Sequence, residues 1–370
     1  MKERIKQLTE YPLLIIFGAI IAVFFFGYVL IPQQEKSEWE NRYLSLRPDF
    51  SLIKIKDGDF MTDFESYTND QVIFRDPLVK FKGICEAILL KNTNNGISKG
   101  KDGYLFTEDY SNGKVFKKNI DIISSFVEES GRNIGIIIAP NAAGIIGDRI
   151  PRGMPVLNQR DLIKGAEGKI SLLKNLRVID LLEVLDNNKN NQLYYKTDHH
   201  WTTYAAGLAY EKFADRKLNL DACAESEVGD FYGTLYAKYK GPFVSSDTIT
   251  YYNFPIKTAT FGEEEVDSLY DLSKVDVFDK YGLFLYGNFG KSVIKTGTVT
   301  DKEIIVFKDS YANCFIPYLT TDYAKITVVD LRYYGESVQE LLESNEKAEI
   351  LLLYNFDFLN EDNHFWKLMK

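Results

Sequence analysis

The stretch 303–319, EIIVFKDSYANCFIPYL, decides the fold. Ile304 to Phe307 form a short, continuous apolar run, the pattern of a strand buried on both faces. Lys308-Asp309-Ser310 interrupts it, and a short helix is expected from about 311 to 320. Ser310 then stands at the carboxyl end of a buried strand and at the start of a helix. Open α/β sheets place their ligands at such points. A helix N-terminus also offers free N–H groups and positive dipole to a developing oxyanion. A second reading is that Ser310 only caps its helix.

Strand and helix alternate on both sides of this stretch. RNIGIIIAP (132–140) reads as a buried strand, and NLRVIDLLEVL (175–185) as a strand entering a helix. TTYAAGLAYEKFADRKL (202–218) is an amphipathic helix with Thr202 as N-cap. AKITVVDL (324–331) and EILLLYNF (349–356) are further strands, separated by a helical segment at about 336–345. Strand, crossover helix and parallel strand predict an α/β core with a mostly parallel sheet. Residues 218–300, dense in Tyr, Thr, Val and Gly, read as a β-rich insertion. GKDGYLF (100–106) carries a tight-hairpin signal, and 51–95 is helical, with Phe60, Phe64, Tyr67, Val72 and Phe74 among its apolar positions.

Bulk composition narrows the class. With 370 residues, 45% of them hydrophobic and 26% charged, the chain is globular in type. Lys+Arg 44 against Asp+Glu 53 gives a net charge of -9, which argues against a nucleic-acid partner. Cys85, Cys223 and Cys314 match no zinc spacing, and their odd number excludes a full disulfide framework. A single Cys85–Cys223 bridge stays open. At the N-terminus, Leu13 to Ile31 carry no charge and would span roughly 29 Å as a helix, enough to cross a bilayer. A cleaved signal peptide is the rival reading, but the segment ends in GYVLIPQQEKSEWE, without the small residues of a cleavage site. Lys2, Arg4 and Lys6 precede the span and acidic residues follow it, so the N-terminus is expected in the cytoplasm. The expected organisation is a cytoplasmic tail at 1–11, a transmembrane signal anchor at 12–31, a stalk at 32–50 and an extracytoplasmic domain at 51–370.

YYKTDHHWTTY (194–204) holds two of the three histidines. In extended backbone, side chains at i and i+2 share a face, so Asp198 and His200 meet while His199 points away. The carboxylate then fixes one imidazole nitrogen and leaves the other to take a proton. A metal reading lacks ligands, because the only other histidine is His364 and no Cys, His or Glu cluster adds to the set. The string DHH also occurs in metal-dependent phosphoesterases, whose further motifs are missing here. A plain surface pair of histidines is the remaining reading. Ser310 needs a base and His200 needs something to deprotonate, so together they describe acyl transfer to or from oxygen.

ENRYLSLRPDF, GKDGYLF, KTDHHWT, FKDSYANCFIPYL and VVDLRYY together resemble the DHHW family, relatives of the SGNH-hydrolase-like proteins that O-acetylate alginate and other exported polysaccharides. The resemblance implies an SGNH-like three-layer α/β/α core, with Ser310 as nucleophile, His200 as general base and Asp198 as its orienting carboxylate. It implies a polysaccharide acceptor and a membrane-bound acyl-exporting partner, and no cofactor or metal. The chain order Asp, His, Ser inverts that of ordinary SGNH enzymes. Their Gly and Asn blocks, which supply oxyanion donors, are not recognisable here. The Ser310 N–H, Asn141, Arg332 and Tyr333 are the candidates, with Asn141 equally readable as a turn residue, Arg332 as an ion-pair partner and Tyr333 as packing. Trp201 either walls the site or supports its packing, and Cys314 reads as a small buried hydrophobe. The expected function is serine-dependent acetyl transfer to polysaccharide hydroxyls. A carbohydrate acetylesterase with the same residues and a non-catalytic glycan-binding scaffold are the alternatives.

Overall fold

The computed structural model describes residues 11–37, 42–89, 91–221 and 223–370. The expected cytoplasmic tail, apart from Tyr11, and residues 38–41 of the expected stalk lie outside the described residues. Two compact units divide the chain: one runs to Lys91 and takes in Lys240–Pro242, the other comprises Asn92–Tyr239 and Phe243–Lys370. Residues 51–91, which the sequence assigned to the main domain, therefore group with the N-terminal segment.

In the first unit, Pro12–Leu30 is a helix with no buried residue, long and apolar enough to cross a membrane. Two short strands, β1 (Lys36–Ser37) and β2 (Arg42–Tyr43), pair antiparallel. Helices Leu52–Asp57, Asp59–Asp70 and Arg75–Ile88 follow. Ser51 caps the first by accepting from Lys54 N–H, and Gly58 at φ 85° ends it in the left-handed conformation open to glycine.

The second unit begins with a three-stranded antiparallel sheet, β3 (Thr93–Asn94), β4 (Ile97–Lys99) and β5 (Leu105–Thr107). The hairpin signal in 100–106 corresponds to the turn between β4 and β5. The other strands are β6 (Ile134–Ala139), β7 (Leu176–Val178), β8 (Ala224–Phe231), β9 (Asp247–Asn253), β10 (Ile256–Phe261), β11 (Glu264–Val266), β12 (Lys291–Thr296), β13 (Glu303–Lys308), β14 (Lys325–Val329) and β15 (Glu349–Asn355). Eight of them make one sheet in the order β11-β10-β12-β14-β13-β15-β6-β7. Within it β14, β13, β15, β6 and β7 run parallel, so their carboxyl ends share one edge. Val306 sits between Val328 and Leu351 in register, and all three are buried, as the apolar runs require.

Residues 218–300 do not form a single insertion. β8 and β9 pair as a separate antiparallel ladder, whereas β10, β11 and β12 continue the central sheet antiparallel from β14. Helix Lys114–Ser130 buries Phe116, Ile120, Ile123, Phe126 and Val127, a stripe at helical spacing, and Asn119 on the same face donates to the Leu359 and Asp362 carbonyls. The three cysteines are unpaired, Cys85 and Cys223 included.

Helix Gln159–Ile170 carries a buried carboxyl, Glu167, whose Oε1 has no hydrogen-bond partner among the described residues. Burial, with Asp180 nearby, pushes it up to about 7. An unfolded glutamate titrates near pH 4.3, so the raised folded value means that this group costs stability increasingly as pH rises from about 4 to 7. In urea unfolding, the Glu167→Gln protein should gain on wild type steadily across that window and hold its full advantage above about pH 7. A difference independent of pH would show that the carboxyl titrates normally.

Candidate active site

At the end of β13 the chain turns on Asp309, whose side chain is buried. One of its oxygens accepts from Tyr311 N–H at 2.8 Å, and the other from Asn355 N–H, at the end of β15, at 2.6 Å. Asp309 is thus the N-cap of the 3₁₀ turn Ser310–Cys314. The capping role considered for Ser310 belongs to its neighbour, and the Ser310 hydroxyl is left for other work. Burial pushes Asp309 up to about 6, against the lowering effect of the two backbone donors. The expected helix at 311–320 is this turn followed by a short α-helix, Ile316–Leu319, in which Pro317 can donate no backbone hydrogen bond. As the first residue of its turn, Ser310 has an N–H without a helical acceptor.

Facing Ser310 is a loop closed by an isolated antiparallel bridge between Tyr194 and Trp201. Asp247, the first residue of β9, holds the loop's backbone. It accepts from Lys196 N–H at 2.9 Å, Thr197 N–H at 2.8 Å, the Thr197 hydroxyl at 2.6 Å and the Gln192 amide at 2.9 Å. Asp198 is buried on the same loop. Its Oδ1 accepts from His200 N–H at 2.9 Å and lies 2.5 Å from His200 Nδ1. Its Oδ2 accepts from Thr234 N–H at 2.8 Å and the Thr234 hydroxyl at 3.0 Å. Gly233 leaves the room for this: a Cβ there would lie 2.2 Å from Asp198 Cβ. Burial alone would raise Asp198, but His199, His200 and the Thr234 N–H outweigh it and hold the carboxyl well below the usual range.

His200 Nε2 lies 2.8 Å from Ser310 Oγ, across 110 residues of sequence. With Nδ1–H donated to Asp198, Nε2 presents a lone pair to the serine hydroxyl. The imidazole lies flat on the Tyr281 ring, centroids 3.7 Å apart and planes 9° from parallel. Tyr281 is fixed in turn by donating its hydroxyl to the Ser310 carbonyl at 3.1 Å.

Trp201 is fully buried, and its indole N–H donates to the Tyr311 carbonyl at 2.8 Å, which fits the packing role. His199 does not turn away from the pair: its ring lies 3.8 Å, centroid to centroid, from that of His200, with Nδ1 2.6 Å from the Thr234 hydroxyl and its side chain 41% exposed. Asn141 caps the short helix Ala142–Ile145 and donates from its side-chain amide nitrogen to both Asp357 oxygens, at 2.6 and 2.8 Å. Arg332 makes a two-point ion pair with buried Asp330, at 2.9 and 2.6 Å. Tyr333 is exposed beneath its guanidinium. Cys314 is buried, which pushes its thiol up to about 12 and fits a packing role. Asp198, His199 and His200 bring ligand-type atoms within 4.8 Å of one another, but both Asp198 oxygens already accept hydrogen bonds and His200 Nε2 is turned to Ser310.

Sequence reasoning missed Gly233, Thr234, Asp247 and Tyr281. All four come from 218–300, where they stand among many similar residues with no local signal. Lys308 was passed over as well. It is buried two residues before Ser310, donates to Asn288 and Asn313 at 2.6 and 2.8 Å, and is lowered to about 8 by burial.

The DHHW protein family matches residues 101–329 of the chain. Among solved structures, a DHHW family protein from Eubacterium siraeum is similar with a TM-score of 0.62 and 21% identity, over 75% of this chain and 96% of that one. Bacillus cereus PatB1, solved with a sulfonyl adduct, is similar with a TM-score of 0.60 and 18% identity, over 73% of this chain and 97% of that one. No curated protein matches.

Two substitutions test the arrangement through labelling of Ser310 by a serine-directed fluorophosphonate. A protonated imidazole gains on the order of 0.5–2 kcal/mol from an aromatic face, so Tyr281→Leu should slow labelling about tenfold while Tyr281→Phe keeps most of the rate. Equal rates for the two would show that the stacked ring does nothing for His200. Gly233→Ala should displace Asp198 and slow labelling by at least about tenfold, the cost of a misplaced base. A wild-type rate there would mean that the Asp198 position is unimportant.

Proposed function

The chain belongs to the DHHW family, and from that premise we propose that it is a membrane-anchored acyltransferase working outside the cytoplasm. In this reading Ser310 is the nucleophile, His200 the general base and Asp198 the carboxylate that orients it. The observation that carries it is the 2.8 Å contact between His200 Nε2 and Ser310 Oγ, backed by Asp198 at 2.5 Å from Nδ1. A serine hydroxyl is a poor nucleophile unless a positioned base takes its proton, and this one has such a base.

The reaction runs in two halves. Ser310 Oγ attacks the carbonyl carbon of an acyl donor while its proton passes to His200 Nε2. The carbonyl oxygen becomes an oxyanion, stabilised by the Ser310 N–H at the start of the 3₁₀ turn. Collapse expels the donor's leaving group, which takes the proton from His200, and an acyl ester remains on Ser310. A polysaccharide hydroxyl then gives its proton to His200 and attacks that ester. The second collapse returns the proton to Ser310 and leaves the acyl group, acetyl by family resemblance, on the sugar oxygen. Asp198 stays ionised throughout, which stabilises the imidazolium formed in each half. Water in place of the sugar hydroxyl would make the same residues an esterase.

The five parallel strands, with Ser310 at the carboxyl end of β13, support an SGNH-like three-layer core. The apolar helix Pro12–Leu30 supports an uncleaved anchor. A tether would hold the site near a membrane-bound exporter of acyl groups, which the family resemblance implies as donor. Arg332 and Tyr333, beyond the end of β14, are proposed to meet the acceptor.

The experiment is fluorophosphonate labelling of the full chain in detergent or nanodiscs, with the adduct located by peptide mass spectrometry. The adduct is expected on Ser310 and absent in His200→Ala. Turnover of p-nitrophenyl acetate should fall by about two to four orders of magnitude in Ser310→Ala, the scale of lost nucleophilic and acid–base catalysis. A folded protein with no adduct would overturn the reading and favour a glycan-binding scaffold.

A further inference from the structure

The N-terminal unit carries an amphipathic helix turned the wrong way for a soluble protein. Helix Arg75–Ile88 buries Gly83, whose Cα approaches the Lys240 backbone so closely that a Cβ would lie 2.7 Å from the Lys240 carbonyl oxygen. The opposite face displays Phe74, at the N-cap, with Leu78, Phe81, Ile84 and Ile88. Their spacing of three and four residues puts them in one stripe along the helix. Phe74, Phe81 and Ile88 are 65%, 64% and 74% exposed. Exposed large hydrophobics of the second unit, such as Tyr110, Leu172, Val299 and Trp366, are scattered along the sequence by comparison. A contiguous apolar stripe on this scale marks a binding surface.

Its position suggests what covers it. The C-terminal end of helix Pro12–Leu30 meets this part of the unit: the Tyr28 hydroxyl donates to the Tyr67 carbonyl at 3.2 Å, and a Cβ on Gly27 would lie 2.6 Å from the Ile73 side chain. The stripe starts at Phe74, the next residue. If Pro12–Leu30 crosses a bilayer, the stripe begins where that span leaves it. Lys82 borders the stripe and is exposed. That combination, an apolar face with lysine at its margin, is the pattern of a helix lying in the headgroup zone.

We propose that helix Arg75–Ile88 lies flat in the outer interface of the membrane, with Phe74, Leu78, Phe81, Ile84 and Ile88 in the acyl boundary. The helix is then a second attachment beside the anchor, and the N-terminal unit is seated on the membrane. This inference rests on the anchor reading given above, and the test separates the two.

The test uses the full chain in nanodiscs, with Cys85 and Cys223 replaced by serine and one bimane label per protein. Labels are placed by Phe81→Cys and Ile88→Cys on the stripe, by Phe17→Cys in the span and by Val299→Cys as an exposed control. Brominated lipids should quench positions 81 and 88 to within about twofold of position 17, because interfacial helices bury their apolar face roughly 5–10 Å deep. Position 299 should not be quenched. Quenching at 17 with none at 81 and 88 would overturn the inference while leaving the anchor intact, and would turn attention to a protein partner for the stripe. No quenching at 17 would sink the anchor reading and this inference with it.

Discussion

A carboxylate taken out of water is costly, on the order of several kcal/mol even after the surroundings relax, unless donors replace the lost hydration. Asp198 is such a group, and the site is arranged around meeting its demand. Four donors converge on its two oxygens: the His200 amide and ring, and the Thr234 amide and hydroxyl. The His200 pair fixes the imidazole's tautomer and rotation, so Nε2 has one direction in which to point. The Thr234 pair ties the loop to the segment between β8 and β9, and Gly233 allows the close approach. Asp247 repeats the device one step back, holding the loop's own backbone N–H groups. Orientation of one ring nitrogen therefore depends on two buried acids and a glycine, none of which touches Ser310.

Ser310 and the Asp198–His200 pair were legible because each carries a local signature. An apolar run broken by polar residues marks a strand end, and an acid two residues before a histidine in a chain with three histidines is conspicuous. Strands β6, β13, β14 and β15 were legible for the same reason, since a strand buried on both faces is continuous in apolar residues. The antiparallel edge was not. β10 and β12 alternate buried and exposed positions, a pattern that reads alike in a separate module and in an extension of the sheet. Asp247 opens a Thr- and Tyr-rich strand, where an acid looks solvated, and nothing nearby says that it faces two backbone donors, a side-chain amide and a hydroxyl. The division between Ser310 and Asp309 was also beyond sequence, because either residue type caps helices well. Only the reach of Asp309 to Asn355, 46 residues on, decides it.

The carboxyl edge of the sheet holds a second polar layer beneath the turn. Lys308 is buried with Asn288 and Asn313 as acceptors and Asp330 3.6 Å away, and Asp330 also holds Arg332. Each member is satisfied, so the layer is rigid where a half-paired one would be unstable. It links the ends of β13 and β14 at the level of Ser310. Fixing Ser310 Oγ to within a few tenths of an ångström needs support of this kind from below, because the 3₁₀ turn itself is too short to hold its own position.

The reach of Asp309 to Asn355 also has a meaning in time. The chain is made from its N-terminus, and the loop with His200 is complete long before Ser310 exists. Ser310 in turn precedes by 45 residues the backbone N–H that steadies its turn. A polypeptide lacking β15 has Ser310 and His200 but no Asn355 N–H to meet the second Asp309 oxygen. A contact of this span costs loop-closure entropy before it gives anything back. The turn that carries Ser310 is therefore completed only when the last strand in chain order pairs with β13.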